Sequence, residues 1–144
     1  MHLQLHCPRN IVARCKMQVT RLETSMEELK GFKKLTVWQK AYDFALMVYK
    51  YTQEFPSSEL YGLTSQIRRA TVSISANIAE GSERQHKKEF LQFLSIARGS
   101  LAEVETYLML VKDLSYISED RFVELEKQRQ EIGRLLRGLY KSLS

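Results

Sequence analysis

The sequence predicts an all-α fold, an antiparallel up-down-up-down four-helix bundle over residues 32–144. Three observations carry that expectation. Apolar residues recur every three or four positions in four successive segments, the period of one helix face. Only 2 of the 144 residues are proline, and neither lies inside a periodic segment. The connections, around 56–58, 81–85 and 115–118, are short enough to force consecutive helices to run antiparallel.

Helix one is expected to start at Thr36, because Thr36-Val37-Trp38-Gln39 has the form of a capping box: a hydroxyl at the N-cap and a Gln three residues on. Its apolar positions are Trp38, Ala41, Ala45, Val48, Thr52 and Phe55, widened by Tyr42, Phe44 and Tyr49, and Pro56 ends it. Helix two is expected from about Ser58 to Glu80, along Leu63, Ile67, Ala70, Ile74 and Ile78. Thr71, Ser73, Ser75, Ala76 and Ala79 make much of its surface small, which lets a neighbour approach closely. Gly81 fits a left-handed helix-ending position.

Ser82-Glu83-Arg84-Gln85 repeats the capping-box form ahead of helix three. That helix carries the seam Phe90, Leu94, Ala97, Leu101, Val104, Leu108 and Val111, with Phe93, Ile96, Tyr107, Leu110 and Leu114 beside it. A stripe so wide implies contact with two or more neighbours. Gly99 costs about 1 kcal/mol in mid-helix relative to Ala, so a close crossing is expected there. Ser118 caps helix four, with Glu119 and Asp120 in the first turn where the helix dipole favours anions. Its seam is Phe122, Leu125, Arg129, Ile132, Leu136 and Leu139.

Residues 1–31 read as a basic, flexible leader. Within residues 1–25, Arg9, Arg14, Lys16 and Arg21 stand against Glu23 alone, so +3 of the chain's net charge of +5 sits in that segment. Residues 26–144 hold 18 basic and 16 acidic side chains, and the global charge is correspondingly weak evidence for a nucleic-acid partner. Met26 opens a more ordinary start, and we expect it to be the initiator. Cys7, Cys15, His2 and His6 match no zinc-ligand spacing. No apolar run approaches the roughly 20 residues of a membrane span, and a cytoplasmic protein is expected.

Catalytic chemistry has little to build on. Glu83 and His86 form one Glu-x-x-His unit, whereas di-iron bundles need two, each pointing inward from mid-helix, plus a Glu from each remaining helix. His86 is the sole histidine of residues 32–144, and Ser73 and Ser75 have no recognisable base. No phosphate-cradling glycine loop is present, and neither a metal nor another cofactor is implied. The informative polar set is different. Arg69, Ser73, Asn77 and Glu80 share one face of helix two, Ser100 and Glu103 lie one turn apart on helix three, and Arg129 interrupts the apolar seam of helix four. A structural polar network is the first reading, a solvated face the second and a ligand site the third. Arg68, Arg69, Lys87 and Lys88 are candidate phosphate contacts. The tyrosines at 42, 49, 51, 61, 107, 116 and 140 are too many for the interior of one small bundle, which points to self-association.

The runs Leu35-Thr-Val-Trp-Gln-Lys-Ala41, Phe55-Pro56, Glu59-Leu-Tyr-Gly-Leu63, Gln66-Ile-Arg-Arg-Ala70, Ser73-Ile-Ser-Ala-Asn-Ile-Ala-Glu-Gly81 and Gly99-Ser-Leu-Ala-Glu103 resemble the bacterial four helix bundle protein family. That family was first noted as proteins encoded in intervening sequences of 23S ribosomal RNA genes. The match runs from about Phe32 to Leu143, and the leader before Met26 departs from it. The resemblance implies a homo-oligomer, a ring of five bundles, with no established enzymatic activity. It also implies a distant kinship with accessory proteins of diversity-generating retroelements, which associate with a reverse transcriptase and RNA.

Overall fold

The structure is a computed structural model that describes residues 29–144, and residues 1–28, with the cysteines and Met26, lie outside the described residues. One compact unit spans Gly31–Ser144. Its elements are a 3-10 turn at Gly31–Lys34, then α1 (Thr36–Thr52), a second 3-10 turn (Ser57–Glu59), α2 (Leu63–Ser82), α3 (Lys87–Asp113) and α4 (Glu119–Leu143). Among the described residues there is no strand. The helices pack in a cycle, α1 on α2, α2 on α3, α3 on α4 and α4 back on α1, with α2 and α3 the most intimately joined.

The core follows the expected seams closely. Ala41, Val48, Ile67, Ile74, Ile78, Leu94, Ala97, Val104, Leu108, Val111, Ile132 and Leu136 are buried on the bundle axis, together with Val37 and Phe44 of α1. Burying each of the larger ones contributes about 1.5–3 kcal/mol relative to leaving it in water. Trp38 is only half-buried. It stacks on Tyr42 with ring centroids 5.2 Å apart and meets Phe32 edge-on at 5.1 Å.

The helix ends correct several expectations. Thr36 is the first helical residue rather than the N-cap, a position held by Leu35 with no side-chain cap. Gln39 instead turns its amide back to donate to the Lys33 carbonyl at 2.7 Å, because the preceding 3-10 turn brings that oxygen within reach. Helix two starts at Leu63, five residues late, since Ser57–Glu59 form their own 3-10 turn. The Glu59 carboxylate then accepts the Leu63 backbone N–H at 3.0 Å and the Tyr116 hydroxyl at 3.0 Å, capping α2 and tying it to the α3–α4 connection.

Gly81 does not end α2 in a left-handed conformation, and the helix continues through it to Ser82. Its glycine identity answers a packing demand. A Cβ there would stand 2.6 Å from the Phe93 Cβ and 2.8 Å from the Phe90 ring. Ser82 makes no capping box, its hydroxyl donating back to the Ala79 carbonyl at 2.8 Å, and His86 is the N-cap of α3. The close crossing expected at Gly99 is absent, for a Cβ added there meets nothing within 4 Å.

At the end of α3 the chain turns through Ser115, whose φ of 58° is left-handed. Ser115 N–H donates to the Lys112 carbonyl at 2.9 Å and Tyr116 N–H to the Val111 carbonyl at 2.8 Å, the paired bonds of a Schellman motif with serine where glycine is usual. Ser118 caps α4 as expected, its hydroxyl accepting the Arg121 N–H at 3.3 Å.

Candidate interaction surfaces

The seven polar residues singled out from the sequence separate into distinct groups. Ser73 of α2 and Ser100 of α3 join across the helix interface through their hydroxyls at 2.9 Å. Asn77, one turn beyond Ser73, donates to the Ser73 carbonyl at 2.7 Å and to its hydroxyl at 3.0 Å. Small side chains make this possible, because the two helices approach closely enough for two hydroxyls to touch. Arg129 belongs elsewhere. Its guanidinium clasps Glu126 at 2.5 and 2.8 Å and reaches Glu105 of α3 at 3.1 Å. With 12% of its side chain exposed, the hydrogen-bonded Arg129 holds the Glu126 carboxyl below its usual range. Glu80 pairs with Arg84 at 2.7 Å, while Arg69 and Glu103 are exposed and make no ion pair among the described residues.

The four candidate phosphate contacts do not form one patch. Arg68 is half-buried, donates through Nε to the Thr52 hydroxyl at 2.8 Å and lies over the Tyr49 ring at 4.7 Å. Lys87 and Lys88 are exposed at the start of α3, beside the end of α2. The 14 helical steps from Arg68 to Ser82 separate the two pairs by roughly 21 Å at 1.5 Å per residue.

The tyrosines also divide. Tyr51, Tyr107, Tyr116 and Tyr140 pack partly buried against the core. The Tyr51 hydroxyl is bonded to Glu124, and that of Tyr116 to Glu59; each bond pushes the phenol up from its usual value. Tyr61 is 94% exposed, and Tyr42 and Tyr49 share an outer stripe of α1 with Leu46. The Arg68–Tyr49 contact sets that stripe beside α2. On the far side of α2, Ile96, Leu110 and Leu114 are about half exposed and share a helical face with Ser100, the residue that touches Ser73. Between these flanks the outward row of α2 is Ser65, Arg69, Val72, Ala76 and Glu80. Small and apolar side chains thus recur on the outer surface of α1, α2 and α3, with Arg69, Glu80 and Glu103 among them.

A second surface was not anticipated from the sequence. An open groove of about 530 Å³ runs along α4 against Leu101 of α3, lined by Lys127, Arg129, Gln130, Glu131, Gly133, Arg134 and Arg137. Gly133 is buried beside it and lets α3 approach, since a Cβ there would stand 3.2 Å from Leu101 Cδ2 and 3.5 Å from an Arg137 guanidinium nitrogen. Glu83 and His86 are exposed near the α2–α3 connection, and among the described residues no three His, Cys, Asp or Glu side chains are grouped to hold a metal ion. No helix among the described residues is long and apolar enough to cross a membrane.

These features define an all-helical antiparallel bundle whose distinctive side chains face outward rather than into a cleft. The family model for 23S rRNA-intervening sequence protein matches residues 33–138, and the chain belongs to that family. A crystal structure of a protein of unknown function from the S23 ribosomal protein family of Bacteroides thetaiotaomicron is similar, with 28% identity and a TM-score of 0.67. The similarity covers 74% of this chain and 99% of that one. No curated protein matches this chain.

Proposed function

We propose that the chain is a non-enzymatic scaffold that assembles with copies of itself and serves as an accessory factor to RNA or a ribonucleoprotein. The observation that carries the assembly is the apolar outer surface, where Tyr42, Leu46, Tyr49, Val72, Ile96, Leu110 and Leu114 are each 40–52% exposed around the small outward row of α2. Exposed apolar side chains gathered on neighbouring helices mark a surface that another protein covers. A ring of five is the expected assembly, as the family resemblance implies. The RNA context is supported by the family's link to 23S rRNA and by the S23 ribosomal family of the structural neighbour. A reverse transcriptase is the protein partner that kinship with retroelement accessory proteins would supply, and the expected setting is the cytoplasm.

Native mass measurement with and without nuclease, joined to RNA binding at two salt concentrations, tests the proposal. Phosphate contacts predict affinity that falls steeply between about 50 and 200 mM salt. A particle of one chain, or RNA affinity that is absent or indifferent to salt, would contradict it. The second reading, an interaction ring with no nucleic-acid role, is favoured by the even balance of charge over residues 26–144. It predicts stable protein partners and no co-purifying RNA.

A further inference from the structure

The near-neutral balance of the bundle conceals a segregation of charge. Residues 127–144 hold five basic side chains, Lys127, Arg129, Arg134, Arg137 and Lys141, against Glu131 alone. Residues 26–126 hold 13 basic and 15 acidic ones, a net of −2. Lys127, Gln130, Arg134, Arg137 and Lys141 follow spacings of 3, 4, 3 and 4, so they share one face of α4. All five are exposed, over about 21 Å of helix.

The acidic groups nearby are already engaged. Glu131 is held by Lys40 of α1 at 3.5 Å, while Glu126 and Glu105 are held by Arg129. Lys127, Arg134, Arg137 and Lys141 have no carboxylate partner among the described residues. Arg98 of α3 adds a further cation beside the stripe, lying 5.8 Å from the Tyr140 ring centroid, again without a carboxylate. Basic residues near a helix C-terminus are favoured by the helix dipole, but that effect is confined to the last turn. It explains Lys141 and not Lys127 or Arg134.

We propose that the α4 stripe, with Arg98 at its margin and the Gly133 groove beneath it, is the surface that contacts an RNA phosphate backbone. This rests on the RNA-accessory reading above and replaces Arg68, Arg69, Lys87 and Lys88 as the main contacts. Guanidinium groups suit phosphate oxygens because their planar fork donates two parallel N–H bonds. A row of cations along one helix follows a polyanion over several phosphates, and Arg129, Arg134 and Arg137 also line the open groove beside it. Contacts to phosphate carry no sequence information, so sequence preference is expected to be small.

The test is binding of an end-labelled, mixed-sequence single-stranded RNA of about 20 nucleotides to the intact chain. Arg134→Glu/Arg137→Glu is compared with Lys87→Glu/Lys88→Glu, an equal charge change on another surface, with circular dichroism and native mass recorded for both. Arg134→Gln/Arg137→Gln supplies a milder variant if the reversal fails to fold. The α4 reversal is expected to weaken binding about 100-fold and lower the salt slope by about two, and the α3 reversal less than about threefold. Equal losses in both variants, or a loss confined to the α3 variant, would overturn the stripe and leave the RNA reading standing. No binding by the wild type would overturn both. Equal affinity for polyglutamate, or a fall to single-chain mass in the α4 variant with RNA binding intact, would assign the stripe to an acidic protein or a second copy and overturn the proposal.

Discussion

The outward row of α2 reads Ser65, Arg69, Val72, Ala76 and Glu80, and that of α4 reads Lys127, Gln130, Arg134, Arg137 and Lys141. Both helices bury an apolar stripe in the same core, so the contrast lies only in what they turn away from it. The α2 row carries no net charge, with one Arg and one Glu among small and apolar side chains. It lies between apolar flanks from α1 and α3, the character of a surface that another protein desolvates. The α4 row is long, cationic and without carboxylate partners, the character of a surface that keeps its water until an anion arrives. The same segregation governs packing. Around α2 the helices meet through glycine and hydroxyls, whereas α4 is joined to its neighbours through longer ion pairs such as Lys40–Glu131 and Arg129–Glu105.

Substitutions can break that contrast at its tightest point first. Gly81→Ala places a methyl 2.6 Å from Phe93 Cβ, an atom fixed to its backbone, and should destabilise the bundle by about 2–3 kcal/mol in thermal or denaturant unfolding. Gly99→Ala, on the open side of α3, should instead stabilise by about 0.5–1 kcal/mol. If the two glycines behaved alike, the assignment of the close approach to Gly81 would be wrong.

The ion pair of the α4 side comes next. Arg129→Met strips Glu126 and Glu105 of their partner and should cost about 1–2 kcal/mol at neutral pH, a value discounted for the partial exposure of the carboxylates. Folded Glu126 titrates below its ordinary 4.5 because Arg129 hydrogen-bonds the ionised form. Its contribution is therefore complete above pH 4.5 and is lost as pH falls through the lowered value. The wild type's advantage over Arg129→Met should shrink correspondingly in acid, and an advantage that held constant would contradict the pairing.

Two smaller effects sharpen the account of the helix ends. Ser115→Gly relieves a left-handed serine in the Schellman turn and should stabilise by about 0.5–1 kcal/mol. Thr64→Val removes a buried hydroxyl that has no partner among the described residues, and is expected to be neutral or stabilising by up to about 1 kcal/mol. The same change at buried Thr71, whose hydroxyl bonds the Ile67 carbonyl at 2.7 Å, should be less favourable.

Periodicity made the four helices and the burial of Leu94, Ala97, Val104, Ile132 and Leu136 readable in advance, because each depends only on which face a residue occupies. It also placed Ser73 and Asn77 on one face, though nothing local announced that Ser100 would meet them. Helix ends were harder. Thr36 and Ser82 have the right residues for capping boxes, but the 3-10 turn before α1 and the late start of α3 hand the boundaries to Leu35 and His86. The close crossing expected at Gly99 falls at Gly81 because the sequence does not say which neighbour stands opposite a glycine. The α4 stripe was missed through averaging: a net charge taken over 119 residues erased a cationic spacing legible in residues 127 to 141.

Native mass of the wild type and of Leu46→Lys/Val72→Lys, at matched micromolar concentration and after nuclease, tests the division of surfaces most directly. Both substituted positions are about 40% exposed, so the single bundle should fold unchanged. The account predicts a wild-type particle at an integer multiple of 16.8 kDa and a variant at 16.8 kDa. A wild type that stays a single chain, or a variant whose assembly is undiminished, would contradict it.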